Sequence, residues 1–434
     1  MPLATGAIRP TAASLIPLSV AVIASALVLR GDLGKSPAQR VVVALCSLMM
    51  TVGVSDLVAH PFLQRVLWVR ANAMFGHRWE RLPLLQRYPP NIRYEGRMFG
   101  DLASGTGVPA DREWRQETFT TDAQGFRNAV DPDAAARPLQ LLLVGDSFAE
   151  GANTAQAETL PQILARDYGY RLRNLAMGGA GPWDEYVNLS LEFDRLPAAP
   201  DLVILWLLFM GNDLDDPCYP MLDVVQLPWN GALRSAMQAY GSFRERSPIR
   251  VITDRARGTI GRWLGREGAS TRVARRDFMR VPMLFYTDIM NRRGRTLDEV
   301  LHHRNWPCIQ AVFGAMKALG ERRHFRVAVA TVPSKEDVYA WVLDGGEPWS
   351  SPEEGGSLTA AFKRLSQEQG FSFLDLQPAL VRASRDQSEQ SGATLWWRDD
   401  VHWNGAGQKV AADAIVGSLL QPRRAPPSSR SSSQ

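Results

Sequence analysis

The chain has 434 residues, of which 45% are hydrophobic, and it carries a formal net charge of +4. This composition excludes a wholly disordered protein and is sufficient for one large domain, or for two modest domains with appendages. Residues 231–280 hold twelve arginines against four acidic residues, a local net charge of +8. Because no zinc-finger spacing, RNA-binding signature or nucleotide-binding glycine loop accompanies this basic segment, nucleic acid is not expected as a partner.

The amino-terminal part is predicted to be a membrane anchor over residues 1–61. Residues 11–29 are nineteen consecutive residues without a charge, close to the length that crosses a bilayer core. A second apolar run at 41–59 would complete a membrane hairpin; the alternative is a single signal anchor. Three basic residues in the loop at 30–40 favour a cytoplasmic loop and therefore an exported main domain, periplasmic or extracellular. Two arginines soon after the second run leave the opposite orientation open.

Residues 62–135 are interpreted as an interfacial and lead-in region. Over 62–70, apolar side chains alternate with arginines, a pattern typical of a helix lying at a membrane surface. The main domain is predicted over 136–420, with an insertion at about 214–300. The tail at 421–434 is rich in proline, serine and arginine and is expected to be disordered.

The segment 139–151 contains an apolar strand that stops at Gly145-Asp146-Ser147 and leads into a helix. The carboxyl end of a buried parallel strand is where α/β enzymes place their chemistry. Ser147 is therefore a candidate nucleophile. The alternative is that Ser147 only caps the following helix, as serine often does at such a position.

Two further segments supply candidate hydrogen-bond donors. Residues 171–181 read as a short strand that runs into a glycine cluster, where the N–H of Gly179 is the best candidate to meet a substrate oxygen. Residues 202–209 are a continuous apolar run, as expected of a strand covered on both faces. This strand ends in Met210-Gly211-Asn212-Asp213, where Asn212 can present a side-chain amide. An ordinary loop and an ordinary turn are the alternatives.

The second half of the chain completes an alternating strand and helix pattern. Apolar spacing over 309–319 predicts a helix, and 326–331 and 371–376 read as a fourth and a fifth strand. This alternation indicates an α/β fold with a doubly wound parallel sheet. An exported domain could join Cys218 to Cys308, although two unpaired buried thiols are the more common outcome for such residues.

The segment 398–407 holds His402 just before a helix predicted over 406–420. Histidine has an ordinary pKa of about 6.5 and can take a proton from serine near neutral pH, if a carboxylate orients the ring. Asp399 lies three residues before His402, so a turn can fold it back, and it is favoured over Asp400, which is two residues away.

These four segments, in this order, resemble the SGNH or GDSL-type hydrolase superfamily over roughly residues 138–420. Within it, the chain resembles membrane-associated bacterial members linked to polysaccharide acylation. The resemblance implies a three-layer, flavodoxin-like sheet and assigns the roles of the site residues. Ser147 would be the nucleophile, His402 the general base and Asp399 its orienting acid, while the N–H groups of Ser147 and Gly179 and the amide of Asn212 would form the oxyanion hole. The chain departs from the family pattern at Met210, where glycine is usual.

Three other side chains are candidates for substrate binding. Trp183 and Trp403 lie beside the motifs, and indole rings offer flat faces on which sugars stack. Lys335 follows the fourth strand in a segment, 332–339, that resembles one in SGNH-like proteins of polysaccharide acetylation. Core packing for the tryptophans and a loop position for the lysine are the alternatives.

The sequence therefore predicts a membrane-tethered serine esterase that acts through an acyl-enzyme on an ester, an O-acetyl group on a carbohydrate. Its partners would be an acylated small molecule or glycan and the membrane. The mechanism calls for no cofactor and no metal. One alternative is an O-acyltransferase of polysaccharide modification, because water and a sugar hydroxyl can accept the same acyl group. Another is a catalytically inactive scaffold for envelope assembly.

Overall fold

A computed structural model of the chain describes residues 78–79, 86–106, 108–129, 138–218 and 273–420, together with Ser36. The predicted membrane spans, the helix at 62–70 and the tail at 421–434 lie outside these residues, as does 219–272 of the predicted insertion. Within the described ranges, no helix has the length and apolar character needed to cross a membrane.

The strands of the described ranges are β1 (Arg78–Trp79), β2 (Gln86–Arg87), β3 (Arg93–Met98), β4 (Arg115–Thr120), β5 (Leu139–Val144), β6 (Leu172–Asn174), β7 (Ala198–Phe209), β8 (Val273–Phe278), β9 (Val281–Tyr286), β10 (Arg326–Val332) and β11 (Ser372–Asp375). The helices are α1 (Asp101–Thr106), α2 (Ser147–Glu150), α3 (Leu160–Tyr168), α4 (Pro182–Glu192), α5 (Thr287–Met290), α6 (Leu297–Leu301), α7 (Trp306–Arg323), α8 (Lys335–Val338), α9 (Ala340–Asp344), α10 (Ser357–Glu368), α11 (Gln377–Ser391) and α12 (Gly405–Ser418). Short 3-10 turns occupy Pro109–Asp111, Gln156–Glu158 and Phe193–Arg195.

Five strands form one parallel sheet in the order β11-β10-β7-β5-β6. Counted along the chain this is the 2-1-3-4-5 order of flavodoxin-like folds, in which the strand order reverses between β5 and β7. Ligands of such sheets bind outside the carboxyl ends of the strands at this reversal. The α/β class and all five predicted strands are confirmed, with the fourth and fifth observed at Arg326–Val332 and Ser372–Asp375.

Alternate residues of the central strands pack on opposite faces of the sheet. Leu141 and Leu205 belong to a buried cluster with Ile163 of α3 and Ile415 of α12. On the other face, the ring of Trp206 lies 4.6 Å from that of Phe313 in α7, which in turn stacks on Phe362 of α10. Helices thus cover both faces, which explains why these strands are apolar throughout rather than alternating.

Three antiparallel strand pairs of the described residues lie outside this sheet: β1–β2, β3–β4 and β8–β9. The pair β3–β4 belongs to the predicted lead-in region, and β8–β9 lies within the predicted insertion. Turn residues Met279 and Arg280 of the β8–β9 hairpin both have positive φ, as tight two-residue turns require. Its strand β9 reaches the carboxyl-terminal loop, where Leu284 N donates to Arg398 O at 2.8 Å.

A disulfide joins Cys218, beyond the end of β7, to Cys308 in α7. The expectation of two unpaired thiols is therefore wrong for this pair. Nothing in the spacing of 90 residues indicates proximity, which arises because α7 packs beside α4 and its amino terminus lies near the turn after β7. The bond closes the long connection between the third and fourth strands of the sheet.

Candidate active site

Ser147 is the first residue of α2, directly after the turn that ends β5. Gly145 has φ of +155°, and a Cβ there would lie 2.9 Å from Leu207 O, so the sharp turn requires glycine. Asp146 caps the helix by accepting from Phe148 N at 2.8 Å. Because Asp146 is the cap, the alternative of Ser147 as the capping residue is wrong, and its hydroxyl can meet other groups.

The structure brings Ser147 and His402 together across 255 positions of sequence, with Ser147 Oγ 2.8 Å from His402 Nε2. His402 Nδ1 lies 2.6 Å from Oδ1 of Asp400. The same carboxylate oxygen accepts from His402 N at 3.1 Å, which is the turn that aspartate often forms with the N–H two residues on. This local turn places the Asp400 carboxylate beside the imidazole.

The prediction that Asp399 orients His402 is wrong in this structure. Asp399 Oδ2 accepts from Gly100 N at 2.7 Å and Glu113 N at 2.8 Å, and its Oδ1 pairs with Arg115 at 2.8 Å. These partners hold the Asp399 carboxylate on the lead-in region, away from the ring. The spacing Asp-Val-His at 400–402 was a usable signal, since an aspartate two residues before a histidine can form the turn seen here.

Burial by itself would lower the pKa of His402, but the Asp400 carboxylate at Nδ1 raises it, and the net shift is upward from 6.5. Burial also raises the pKa of Asp146 to about 6. Asn153, which sequence reasoning missed, donates from Nδ2 to Asp400 Oδ2 at 2.9 Å and lies 3.1 Å from His402 Nδ1. Asn153 has a positive φ of 63°, a conformation that asparagine tolerates better than most residues.

The predicted oxyanion donors lie on the loops that follow β5, β6 and β7. Gly179 is exposed with φ of +77°, and no atom lies within 4 Å of a Cβ built there, so this position borders open space, and its role as a donor stays a prediction. Asn212 is half-buried after β7, and its Nδ2 donates to Asp216 Oδ2 at 2.8 Å. The amide carries two hydrogens, of which Asp216 accepts one. The oxyanion role of Asn212 stays a prediction, as does the effect of Met210 at the position where the family pattern has glycine.

The lead-in region contributes to the site, which no local sequence signal indicated. The buried Arg115 of β4 binds Asp399 and also Asp400, with Nη2 3.2 Å from Asp400 Oδ2. Near the glycine cluster, Tyr88 Oη and Gly178 N both donate to Oε2 of the buried Glu150, at 2.9 and 2.5 Å. The nucleophile helix and the loop of Gly179 are thereby linked to residues that precede β5.

The three predicted substrate-binding side chains are all buried, so their prediction as surface contacts is wrong. Trp403 is 0% exposed and packs edge-on against Phe148, and Trp183 is 2% exposed in α4. Lys335 is 0% exposed, and its Nζ donates to main-chain carbonyls rather than facing the site opening. Both tryptophans pack in the interior, which was the alternative interpretation.

Among the described residues, one group of side chains could hold a metal ion: Asp101, Asp400 and His402. Both ring nitrogens of His402 are already engaged, Nδ1 by Asp400 and Nε2 by Ser147. A metal on this group would have to displace one of these two partners. The arrangement fits proton transfer between serine, imidazole and carboxylate better than metal ligation.

Comparisons with known proteins agree with the class of site. Residues 284–431 match a family model described as "SGNH hydrolase-like domain, acetyltransferase AlgX". The sequence finds no match among curated proteins. Similar solved structures include a protein proposed to be an acylhydrolase from Bacteroides fragilis, at 13% identity and a TM-score of 0.32, covering 65% of this chain and 89% of that one. A psychrotrophic esterase, EstA from Pseudoalteromonas sp., matches at 13% identity and a TM-score of 0.29, covering 64% and 95%. At these scores no property of either protein is transferred to this chain.

Proposed function

We propose that the chain is an SGNH-type enzyme that acts on ester bonds, as a hydrolase or acyltransferase, through a covalent acyl-enzyme on Ser147; the match of residues 284–431 to an SGNH hydrolase-like family model supports this class. The observation that carries the proposal is the unbroken series of contacts from Ser147 Oγ to His402 Nε2 at 2.8 Å and from His402 Nδ1 to Asp400 at 2.6 Å. A neutral serine is a weak nucleophile, and this arrangement supplies the base that it needs.

In the proposed reaction, Ser147 Oγ attacks the ester carbonyl carbon while His402 Nε2 takes the hydroxyl proton. Asp400 stabilises the imidazolium, and the oxyanion accepts hydrogen bonds from the N–H groups of Ser147 and Gly179 and from the amide of Asn212. When the intermediate collapses, the C–O bond to the leaving alcohol breaks and His402 returns the proton to that alcohol. Water or a second hydroxyl then attacks the acyl-Ser147 ester, with His402 again as base.

The proposed substrate is an O-acetyl ester on a carbohydrate. The description of the matching family model as an acetyltransferase supports the acyl group. In place of the two buried tryptophans, we propose Trp114 as the sugar contact, because its ring is 47% exposed and packs edge-on against Phe99. Trp114→Ala is expected to raise the KM for an acetylated oligosaccharide while leaving hydrolysis of a small acetyl ester unchanged. If Trp114→Ala and the unaltered chain have equal KM values for the acetylated oligosaccharide, Trp114 is excluded as a sugar contact.

Hydrolysis of a small activated acetyl ester by the full-length chain tests the enzymatic proposal. Ser147→Ala should reduce turnover to background, and a fluorophosphonate should add its mass to the peptide that contains Ser147. Ser190→Ala is a matched control, since Ser190 in α4 donates to the Val187 carbonyl of its own helix and should leave turnover unchanged. Equal rates for Ser147→Ala and the unaltered chain would instead favour the inactive scaffold.

Acyl transfer is the second candidate, and the acetyltransferase description of the family model favours it. Both reactions share the acyl-enzyme and differ in whether water or a sugar hydroxyl accepts the acyl group. Incubation with an acetyl donor and an oligosaccharide distinguishes them, because mass spectrometry detects acetylated acceptor in one case and only free acetate in the other.

We further propose that residues 1–61 tether the enzyme to a membrane and that the catalytic domain is exported. The disulfide between Cys218 and Cys308 supports export, because such bonds persist in oxidising compartments. Protease added to intact cells or spheroplasts should cut an exported domain. Protection until the membrane is permeabilised would show the opposite orientation.

A further inference from the structure

We propose that Lys335 is a positioning residue that holds the loop carrying the acid and the base of the proposed reaction. The side chain is completely buried, and each of three main-chain carbonyls lies within hydrogen-bond distance of Nζ: Trp397 O at 2.8 Å, Arg398 O at 2.9 Å and Asp400 O at 3.0 Å. An ammonium group has three donors and no acceptor. All three donors are therefore accounted for by this one loop.

The loop depends on this cation because its carbonyl oxygens converge. An isolated bridge between Trp396 and Trp403 closes the loop, and Trp397 N donates to His402 O at 3.2 Å. Three carbonyl dipoles that point toward one position repel each other, and a buried carbonyl without a donor costs free energy. Trp397 O and Arg398 O also accept from Asp400 N at 3.3 Å and Leu284 N at 2.8 Å. The Lys335 ammonium therefore acts chiefly by offsetting the repulsion between the three carbonyls and by holding the main chain of Asp400, two residues before His402.

The position of Lys335 is fixed by the start of its own short helix, α8. Ser334 and Asp337 form a reciprocal cap at the start of α8, which places Lys335 as the first helical residue. Burial lowers the pKa of Lys335 to about 8, although the neighbouring Glu336, Asp399 and Asp400 carboxylates raise it. The group therefore keeps its charge and its three donors at neutral pH.

The loop is thus fixed from two sides. Arg115 and Asn153 bind the side chain of Asp400, whereas Lys335 binds its carbonyl. A small displacement of a catalytic group can cost about 100-fold in rate. Because Lys335 touches neither Ser147 nor His402, its effect on the reaction passes through this loop, and we assign it to the orientation of Asp400.

The role of Lys335 in the reaction rests on the proposed function, but its effect on the loop can be measured without turnover. A histidine Nδ1 proton held by a carboxylate gives a far-downfield proton NMR resonance. In the full-length chain this resonance should be present and should disappear in Asp400→Asn. It should remain in Ser147→Ala and be lost or strongly reduced in Lys335→Met. An unchanged resonance in Lys335→Met would overturn the proposal.

Kinetics supply the second readout. Lys335→Met should lower kcat for a small acetyl ester by about 100-fold with little change in KM. In an Asp400→Asn background the same substitution should cost less than about threefold, because its effect passes through Asp400. Equal losses in both backgrounds would show a general structural role and refute positioning. If Ser147→Ala retains full turnover, the proposed function fails, and the resonance still decides whether Lys335 holds the loop.

Two further variants separate positioning from folding. Tyr339→Phe removes the buried acceptor of Leu395 N, a 3.0 Å bond just outside the loop, and should lower stability while leaving the resonance and kcat within about threefold. Lys335→Gln is the replacement if Lys335→Met does not fold, since its amide can donate to two carbonyls. It should give an intermediate resonance and kcat. A wild-type resonance and kcat in folded Lys335→Gln would contradict the assignment. So would a decrease in the resonance and kcat of Tyr339→Phe as large as that of Lys335→Met.

Discussion

Asp400 and Asp399 are adjacent, fully buried acids, yet the structure gives them different expected effects on catalysis. Asp400 accepts from His402 Nδ1 at 2.6 Å, so Asp400→Asn should leave the imidazole in the wrong tautomer and without a counter-charge. In enzymes with such a triad this loss is about 10,000-fold in kcat, equivalent to about 5 kcal/mol of activation free energy. The fold should persist, because asparagine keeps the volume and can still accept from Asn153 and Arg115.

Asp399→Asn is the matched control. Asp399 binds Gly100 N, Glu113 N and Arg115 and does not contact the ring. Replacing its charge leaves Arg115 partly unpaired, which should lower the free energy of unfolding by about 3 kcal/mol. Its kcat, however, should stay within about tenfold of the unaltered chain, because the His402 and Asp400 pair is intact.

Steady-state hydrolysis of a small acetyl ester, corrected for the active fraction by phosphonate titration, measures both variants, and denaturant unfolding measures their stability. We expect a large kcat defect only for Asp400→Asn, whereas both variants should lose stability, because each removes a charge that pairs with Arg115. If folded Asp399→Asn loses as much kcat as Asp400→Asn, or if Asp400→Asn stays close to the unaltered chain, the observed contact does not define the acid.

Three other predictions concern the base, the oxyanion and the disulfide. Only neutral His402 can accept a proton, and Asp400 raises the pKa of His402. The value of kcat/KM should therefore rise with pH through a midpoint above 6.5. A pH profile with its midpoint below 6.5 would contradict this. Asn212→Ala should lower kcat by about 100- to 1,000-fold with little change in KM, whereas an unaltered kcat would remove its amide from the oxyanion hole. Reduction of the bond between Cys218 and Cys308, which are 90 residues apart, should lower the free energy of unfolding by about 2–5 kcal/mol. In a Cys218→Ser, Cys308→Ser variant the reductant should not change the free energy of unfolding. An equal decrease in that variant would show that the reductant acts at another place.

Much of the scaffold could be predicted because its signals are local. A strand covered on both faces is expected to be a nearly continuous apolar run, and β5, β7 and β10 show such runs in the sequence. The turn at Gly145 and the helix after His402 are likewise set by adjacent residues. Ser147 and His402 could therefore be placed at the carboxyl end of a strand and before a helix, and the fold brings these two positions together.

The sequence near His402 does not determine whether Asp399 or Asp400 contacts its ring. Both spacings to His402 are sterically allowed, and the decision rests on Gly100, Glu113 and Arg115, which lie more than 280 residues earlier and bind Asp399. A Cβ on Gly100 would come within 2.1 Å of Asp399 O, so this docking also requires a glycine far away in sequence. Asn153 and Glu150 were not predicted as site residues for the same reason, because their partners come from distant segments.

Residue type alone also misplaced the tryptophans, the lysine and the cysteines. Trp183, Trp403 and Lys335 are amphipathic side chains that suit a surface or an interior, and only the packing of helices and loops around them decides which. Pairing of Cys218 with Cys308 similarly depends on where α7 begins relative to the turn after β7. The sequence by itself determined the α/β scaffold, the nucleophile and the base, because short-range apolar pattern and turn chemistry specify them; the acid, the buried cation and the disulfide were decided by tertiary structure, because their partners are brought close only by folding.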